Sequence, residues 1–233
     1  MKLVRFKFMY RKKIIFAALC LLLVGNTNAQ NNTTPYYGFR LGLTAHPTFG
    51  SISAEEGKSR GTNLGFVYGL MGDFNFAAHY SFNTGITITT INGKSTEINA
   101  MPYHANVSSN TPVAYDLKYK MQYIEIPLAL KFKTSKIGEL KWFGQVGLSN
   151  GFKIKAKQDA EMMNKILADD VNSGSWTRLY RAGLLIGGGA EFDLGGHTSL
   201  MAGISVNRGL TNITTSKNAI RNHFVSLNLG VFF

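Results

Sequence analysis

The feature that most constrains this chain is a two-residue alternation of apolar and polar side chains, repeated along most of its length. It is cleanest in residues 224–233, where Val225, Leu227, Leu229, Val231 and Phe233 share one parity and Ser226, Asn228 and Gly230 the other. That period sets one face of a strand against apolar surroundings and the other against polar ones. Residues 37–44, 64–70, 82–88, 142–149, 181–192 and 199–207 alternate in the same way. The segment 115–133 completes a set of eight, an even number, but it changes phase. Tyr115, Leu117, Tyr119, Met121 and Tyr123 are odd, whereas Ile124, Ile126, Leu128, Leu130 and Phe132 are even. A slip of one residue reverses every side chain, so the spacing predicts a bulge near Tyr123–Ile124, with Pro127 adding a local irregularity.

Composition narrows the class. Only 16% of the 233 residues are charged, against about 25% in a typical soluble domain. The longest apolar run, residues 14–24, is about half of the roughly 20 residues a helix needs to cross a bilayer, which excludes a helical membrane protein. That run follows Lys2, Arg5, Lys7, Arg11, Lys12 and Lys13 and precedes Thr27-Asn28-Ala29, the order of a secretory signal peptide over residues 1–29. Its removal takes six basic residues from a formal charge of +12, and Cys20 with them. Nucleic-acid binding then loses its main argument, since no basic run is left. Residues 30–35 read as a short linker and 36–233 as the barrel domain.

Loop lengths carry a second signal. Residues 50–62, 94–114 and 156–178 read as long connections, and 75–79, 134–140 and 195–197 as short ones. Alternating lengths in an antiparallel meander place the long connections at one end, as in outer-membrane barrels. With both termini at the short-turn end, Tyr37, Phe74, Phe82, Phe132, Trp142, Phe192 and Phe233 fall on the outer face at one level, with Leu200 on the seventh strand. A girdle of aromatic residues at a membrane interface has this arrangement.

The opposite parity lines an interior. Arg40, Lys120, Gln122, Glu125, Lys131, Gln145, Arg181, Glu191, Ser226 and Asn228 read as inward. Eight strands enclose a lumen just wide enough for side chains to fill, and buried charges persist only when paired. The lumen is therefore expected to be a polar network built on Arg40, Glu125, Lys131, Arg181 and Glu191. Catalytic chemistry finds no support. Gly187-Gly188-Gly189 lacks the Lys-Ser or Lys-Thr of a phosphate loop, and the five histidines lack ligand spacing. No catalytic residue, cofactor or metal is expected. Within 156–178, Ala160, Met163, Leu167 and Val171 fit a short amphipathic helix, although a loop packing its own apolar residues is the preferred reading.

The segment Met121-Gln122-Tyr123-Ile124-Glu125-Ile126-Pro127-Leu128-Ala129-Leu130-Lys131 resembles the Y-I-E-I-P-L-x-L-K strand of the PorT-like outer-membrane β-barrel family of the Bacteroidota. Phe143-Gly144-Gln145-Val146-Gly147 is similar to that family too, and Phe233 resembles the terminal aromatic read by the barrel-assembly machinery. The resemblance implies an outer-membrane barrel; some members serve type IX secretion, and many are called porin family proteins. The expectation is an all-β, eight-stranded, antiparallel up-and-down transmembrane barrel. It would be a monomer in outer-membrane lipid, non-enzymatic, with a structural or adaptor role. Its partners would be the barrel-assembly machinery and other envelope or secretion proteins, not nucleic acid. A narrow porin and a PorT-type secretion component are the alternatives.

Overall fold

The computed structural model describes residues 38–55, 57–100, 103, 112–163, 165–215 and 219–233. The expected signal peptide, the linker and Tyr37 lie outside them. Nine strands form: β1 (Phe39–Ala54), β2 (Gly57–Ala77), β3 (Tyr80–Ile98), β4 (Ala114–Lys133), β5 (Leu140–Met162), β6 (Lys165–Asn172), β7 (Tyr180–Gly195), β8 (Thr198–Gly209) and β9 (Ile220–Phe232). Each barrel strand pairs antiparallel with its neighbours, and β9 returns to β1, so eight strands close a ring. Closure leaves the ring without an edge strand. β6 stands outside the ring and pairs only with the far end of β5. Among the described residues, no helix is long and apolar enough to cross a membrane.

The short connections are tight. Ala77 pairs with Tyr80, and β7 turns into β8 through Gly195 and Gly196, whose positive φ values of 87° and 59° suit a residue without a Cβ. At the other end, much of what the sequence presents as loop is strand. β1 runs to Ala54 and β2 starts at Gly57, so the connection expected over residues 50–62 shrinks to a turn. Within 156–178, β5 and β6 form a hairpin, followed by a single 3-10 turn at Gly174–Trp176, in place of the expected loop or amphipathic helix. Of the helically spaced residues only Ala160 faces the core, whereas Leu167, Val171 and Met163, at the tip and 88% exposed, do not.

β4 overturns the expected bulge. Its parity is unbroken: Tyr115, Leu117, Tyr119, Met121 and Tyr123 are buried inside the ring, as are Glu125, Ala129 and Lys131 below them. Its pairing with β3 passes through Ile124–Ile88 and Tyr123–Thr89 without a shift. The extra residue is on the partner strand, where the register steps from Gln122–Lys155 to Tyr123–Lys153 and leaves Ile154 unmatched. What changes at Tyr123–Ile124 is the surroundings. Below, apolar side chains point outward and polar ones inward. Above, the order reverses, and Ile52, Ile91, Tyr115, Leu117, Tyr119, Met121 and Tyr123 form an apolar plug. The sequence pattern is one strand crossing between two media.

On β5 the outward apolar run from Trp142 to Phe152 covers about 33 Å along the strand at ~3.3 Å per residue. At a tilt of ~40° this is about 25 Å along the barrel axis, the height of a lipid-facing band.

Candidate functional site

The lumen holds two charged clusters with a cavity between them. Nearest the short turns, inward parity on β1, β2, β4 and β7 brings Arg40, Asp73, Lys131, Lys133 and Glu191 together. Asp73 Oδ2 lies 3.0 Å from Arg40 and 3.1 Å from both Lys131 and Lys133. Glu191 meets Arg40 at 2.8 Å, and its other oxygen lies 2.6 Å from Lys131, an ion pair rather than an aligned hydrogen bond. Asn83 donates to Asp73 Oδ1 at 2.7 Å, and Lys133 donates to Asn75 at 2.9 Å. The rings of Phe143 and Phe232 close the cluster, with Lys131 Nζ 4.5 and 4.9 Å from their centroids and Arg40 4.5 Å from Phe232. Met71 and Met201 complete this small apolar floor.

Higher up, Arg181 is fully buried and uses all five of its N–H groups. Nη1 donates to Glu125 at 2.8 Å and Ser149 at 3.3 Å, Nη2 to the Asn207 side chain at 2.7 Å and the Asn222 carbonyl at 3.3 Å, and Nε to Asn222 Oδ1 at 2.6 Å. A buried charge is tolerable when it is both paired and hydrogen-bonded throughout. Between the clusters lies a cavity of about 100 Å³ lined by Thr44, His46, Asn83, Glu125, Gln145 and Asn228 among others.

The apolar plug caps the cavity at the long-connection end, and Lys153 fastens a segment over it. This lysine faces inward below the Ile154 bulge and donates to the carbonyls of Gly174 and Thr177 at 2.8 and 2.6 Å and to Thr177 Oγ1 at 2.8 Å. Inside the same region, Glu97 accepts from Ser95 at 2.6 Å and Tyr119 at 2.7 Å. No cation pairs with it among the described residues. Burial raises its pKa above the ordinary glutamate value, and the two hydrogen bonds offset this only in part.

Arg40, Glu125, Lys131, Arg181 and Glu191 all lie inside the ring, but not as one network: Arg181 serves Glu125, while Arg40 and Lys131 serve Glu191. Asp73 and Lys133 were missed, although the inward parity of β4 already includes Lys133 and that of β2, continued past Gly69 and Met71, reaches Asp73. Lys120 and Gln122 are on the outer face instead, because they lie above the reversal in β4. Phe74, Phe132, Trp142, Phe192 and Phe233 lie exposed on the outer face near the short turns, and Phe82 is half-buried beside Phe74. Phe39, Phe76 and Tyr80 join them: Phe39 packs against Phe74 with tilted rings at 4.7 Å, and Tyr80 meets Phe132 edge-on at 5.7 Å. Among the described residues, no group of three or more His, Cys, Asp or Glu could hold a metal ion.

An apolar wall around a polar, filled lumen is the build of a small membrane barrel. The family model of the outer membrane protein beta-barrel domain matches residues 28–215. The chain belongs to this family. The outer membrane protein beta-barrel domain places the protein in the outer membrane and makes its apolar band the transmembrane wall. Solved structures with a similar barrel include Neisserial surface protein A, at 12% identity over 82% of this chain and 95% of that one, with a TM-score of 0.44. OprG from Pseudomonas aeruginosa gives 12% identity, 84% and 96% coverage and 0.44. Ail of Yersinia pestis gives 12% identity, 84% and 99% coverage and 0.39. No curated protein matches the chain.

Proposed function

We propose that this outer-membrane barrel is a closed, non-enzymatic protein with a structural or adaptor role, carrying a β-built platform on the cell surface. The short turns face the periplasm, and the aromatic ring from Phe39 to Phe233 sits at the inner headgroup boundary. The observation that carries this reading is the double closure of the lumen: the plug around Tyr115, Tyr119 and Tyr123 at one end, and the Arg40–Asp73–Lys131–Glu191 cluster against Phe143 and Phe232 at the other. A channel needs a continuous path, and the lining of the ~100 Å³ cavity takes in Phe224 of the plug on one side and Met71 and Met201 of the floor on the other. Reconstituted into a planar bilayer, the protein is expected to give no stable single-channel steps. Steady steps from the unaltered chain would overturn the closed reading in favour of a narrow porin.

A PorT-type place in protein secretion is the second reading, favoured by the residues 123–128. Each of those side chains also has a task in the barrel itself. Tyr123 belongs to the plug, Glu125 pairs with Arg181, Pro127 lines the cavity, and Ile124, Ile126 and Leu128 face outward. Deleting the gene and measuring the secreted proteins separates the two: an unchanged secretome supports the structural role, and a loss selects the secretion role.

A further inference from the structure

Above the transmembrane band, the outer face of β3, β4 and β5 carries charge sorted by height. The continuous apolar run on these strands ends at Ile88, Ile124 and the Phe152–Ile154 pair. The next outward row is Thr90, Gln122 and Lys155; then come Asn92, Lys120 and Lys157; then Lys94, Lys118 and Asp159. Only in the fourth row, Thr96, Asp116 and Glu161, do acids dominate. Outward rows are about 6.6 Å apart along a strand, or about 5 Å along the axis at a tilt of ~40°. The lysines therefore occupy roughly the first 5–15 Å above the apolar edge. A headgroup layer is about 5–8 Å thick on each side of the hydrocarbon, so this bank begins within it.

Neighbouring acids neutralise only part of the bank. Lys94 stands directly across from Lys118, and Lys120 across from Lys157, pairings that repel. Asp159 lies 3.0 Å from Lys120 and 3.8 Å from Lys118, and Asp170 pairs with Lys120 and Lys157. Asp116 is taken by Arg60 at 2.9 Å. Among the described residues no carboxylate forms an ion pair with Lys94 or Lys155, which are both exposed. A surface designed only for solubility intersperses the two signs. Here they are segregated, with the cations next to lipid.

We propose that this lysine bank is a binding site for lipid headgroups bearing phosphate monoesters, with Lys94 and Lys155 as the unpaired cations that hold the phosphate and Lys118, 3.8 Å from Asp159, as the third. The inference rests on the band being the transmembrane wall, and the orientation proposed above makes the outer leaflet the source. Lysine is suited to this as a mobile point charge that follows a headgroup without demanding a planar fork. The acyl chains of the same lipid lie against Ile88, Ile124 and Phe152.

The test uses the folded protein in lipid nanodiscs, which offer lipid to both ends and so do not depend on orientation. The probes are lipid A with two phosphates and the same lipid with both phosphates removed, and binding is read as co-purifying lipid by mass spectrometry. Preference for the phosphorylated form is expected to fall at least tenfold in the triple variant K94Q/K118Q/K155Q and to persist in K94R/K118R/K155R. It is also expected to persist in K136Q/K141Q, which alters lysines at the opposite end. Excess inorganic phosphate should not displace the lipid. Equal retention of the dephosphorylated lipid, an unaffected triple glutamine variant, or displacement by free phosphate would each overturn the proposal. Because K94R/K118R/K155R keeps the charge, its recovery distinguishes lost binding from lost folding, and boiling-dependent gel mobility checks the fold of every variant. The conductance measurement is independent, so failure here leaves the closed-barrel reading standing, and the converse holds.

Discussion

Arg181 shows how one residue can make a charged lumen stable. Its five donors meet five acceptors drawn from β4, β5, β8 and β9, so one guanidinium ties four strands together. Replacing it with methionine leaves Glu125 buried without its cation, which costs about 3–5 kcal/mol, whereas replacing both members with apolar residues restores much of the loss. Urea titration read by gel mobility should therefore show R181M well below wild type and R181M/E125L between them. Glu97 gives a pH signature outside the membrane. Its raised pKa means that the folded state keeps a proton which the unfolded state has already released. Stability of the surface plug is thus fully present below the ordinary glutamate value and falls as pH rises through the raised one. Corrected for the intrinsic pH dependence of exchange, amide protection around Tyr119 should fall from acid to neutral pH, and Glu97→Gln should abolish that trend.

At the scale of elements, β4 separates what alternation specifies from what it leaves open. Parity identified eight strands, their order round the ring and, below the reversal in β4, inward residues such as Arg40, Glu125 and Glu191, because a strand with two different faces admits one orientation. It did not say which medium lies outside. Tyr115 to Tyr123 and Ile124 to Phe132 each alternate cleanly, and a bulge and a change of medium produce the same string. The β5–β6 hairpin was hidden for a related reason: Ala160, Met163, Leu167 and Val171 satisfy a helical period, but their real partners lie across a strand pair. Asp73 and Lys133 were legible in principle, Lys133 at the end of the segment 115–133 and Asp73 two inward steps past 64–70. An arginine scan of outward β4 positions checks the boundary. Leu128→Arg should cost about 2–4 kcal/mol and Gln122→Arg about 0–1, measured as unfolding free energy in vesicles. Equal costs at both positions would remove the boundary from Tyr123–Ile124.

For the whole molecule, the two tryptophans report immersion. Trp142 projects from the band beside the short turns and is 53% exposed, while Trp176 donates to Gln158 at 3.3 Å above the plug. With lipids brominated near the headgroup, fluorescence of a W176F variant is expected to be strongly quenched and that of W142F nearly unaffected. The reversal along β4 then has a mechanical meaning. A barrel that is apolar outside over its full height could ride higher or lower in the bilayer at little cost. This one cannot: rising by one outward row lifts Ile88, Ile124 and Phe152 into water, and sinking by one drives Lys155 towards hydrocarbon. The strand carries its own waterline, so the draught of the protein is written into the sequence, and a membrane of different thickness must deform to meet it.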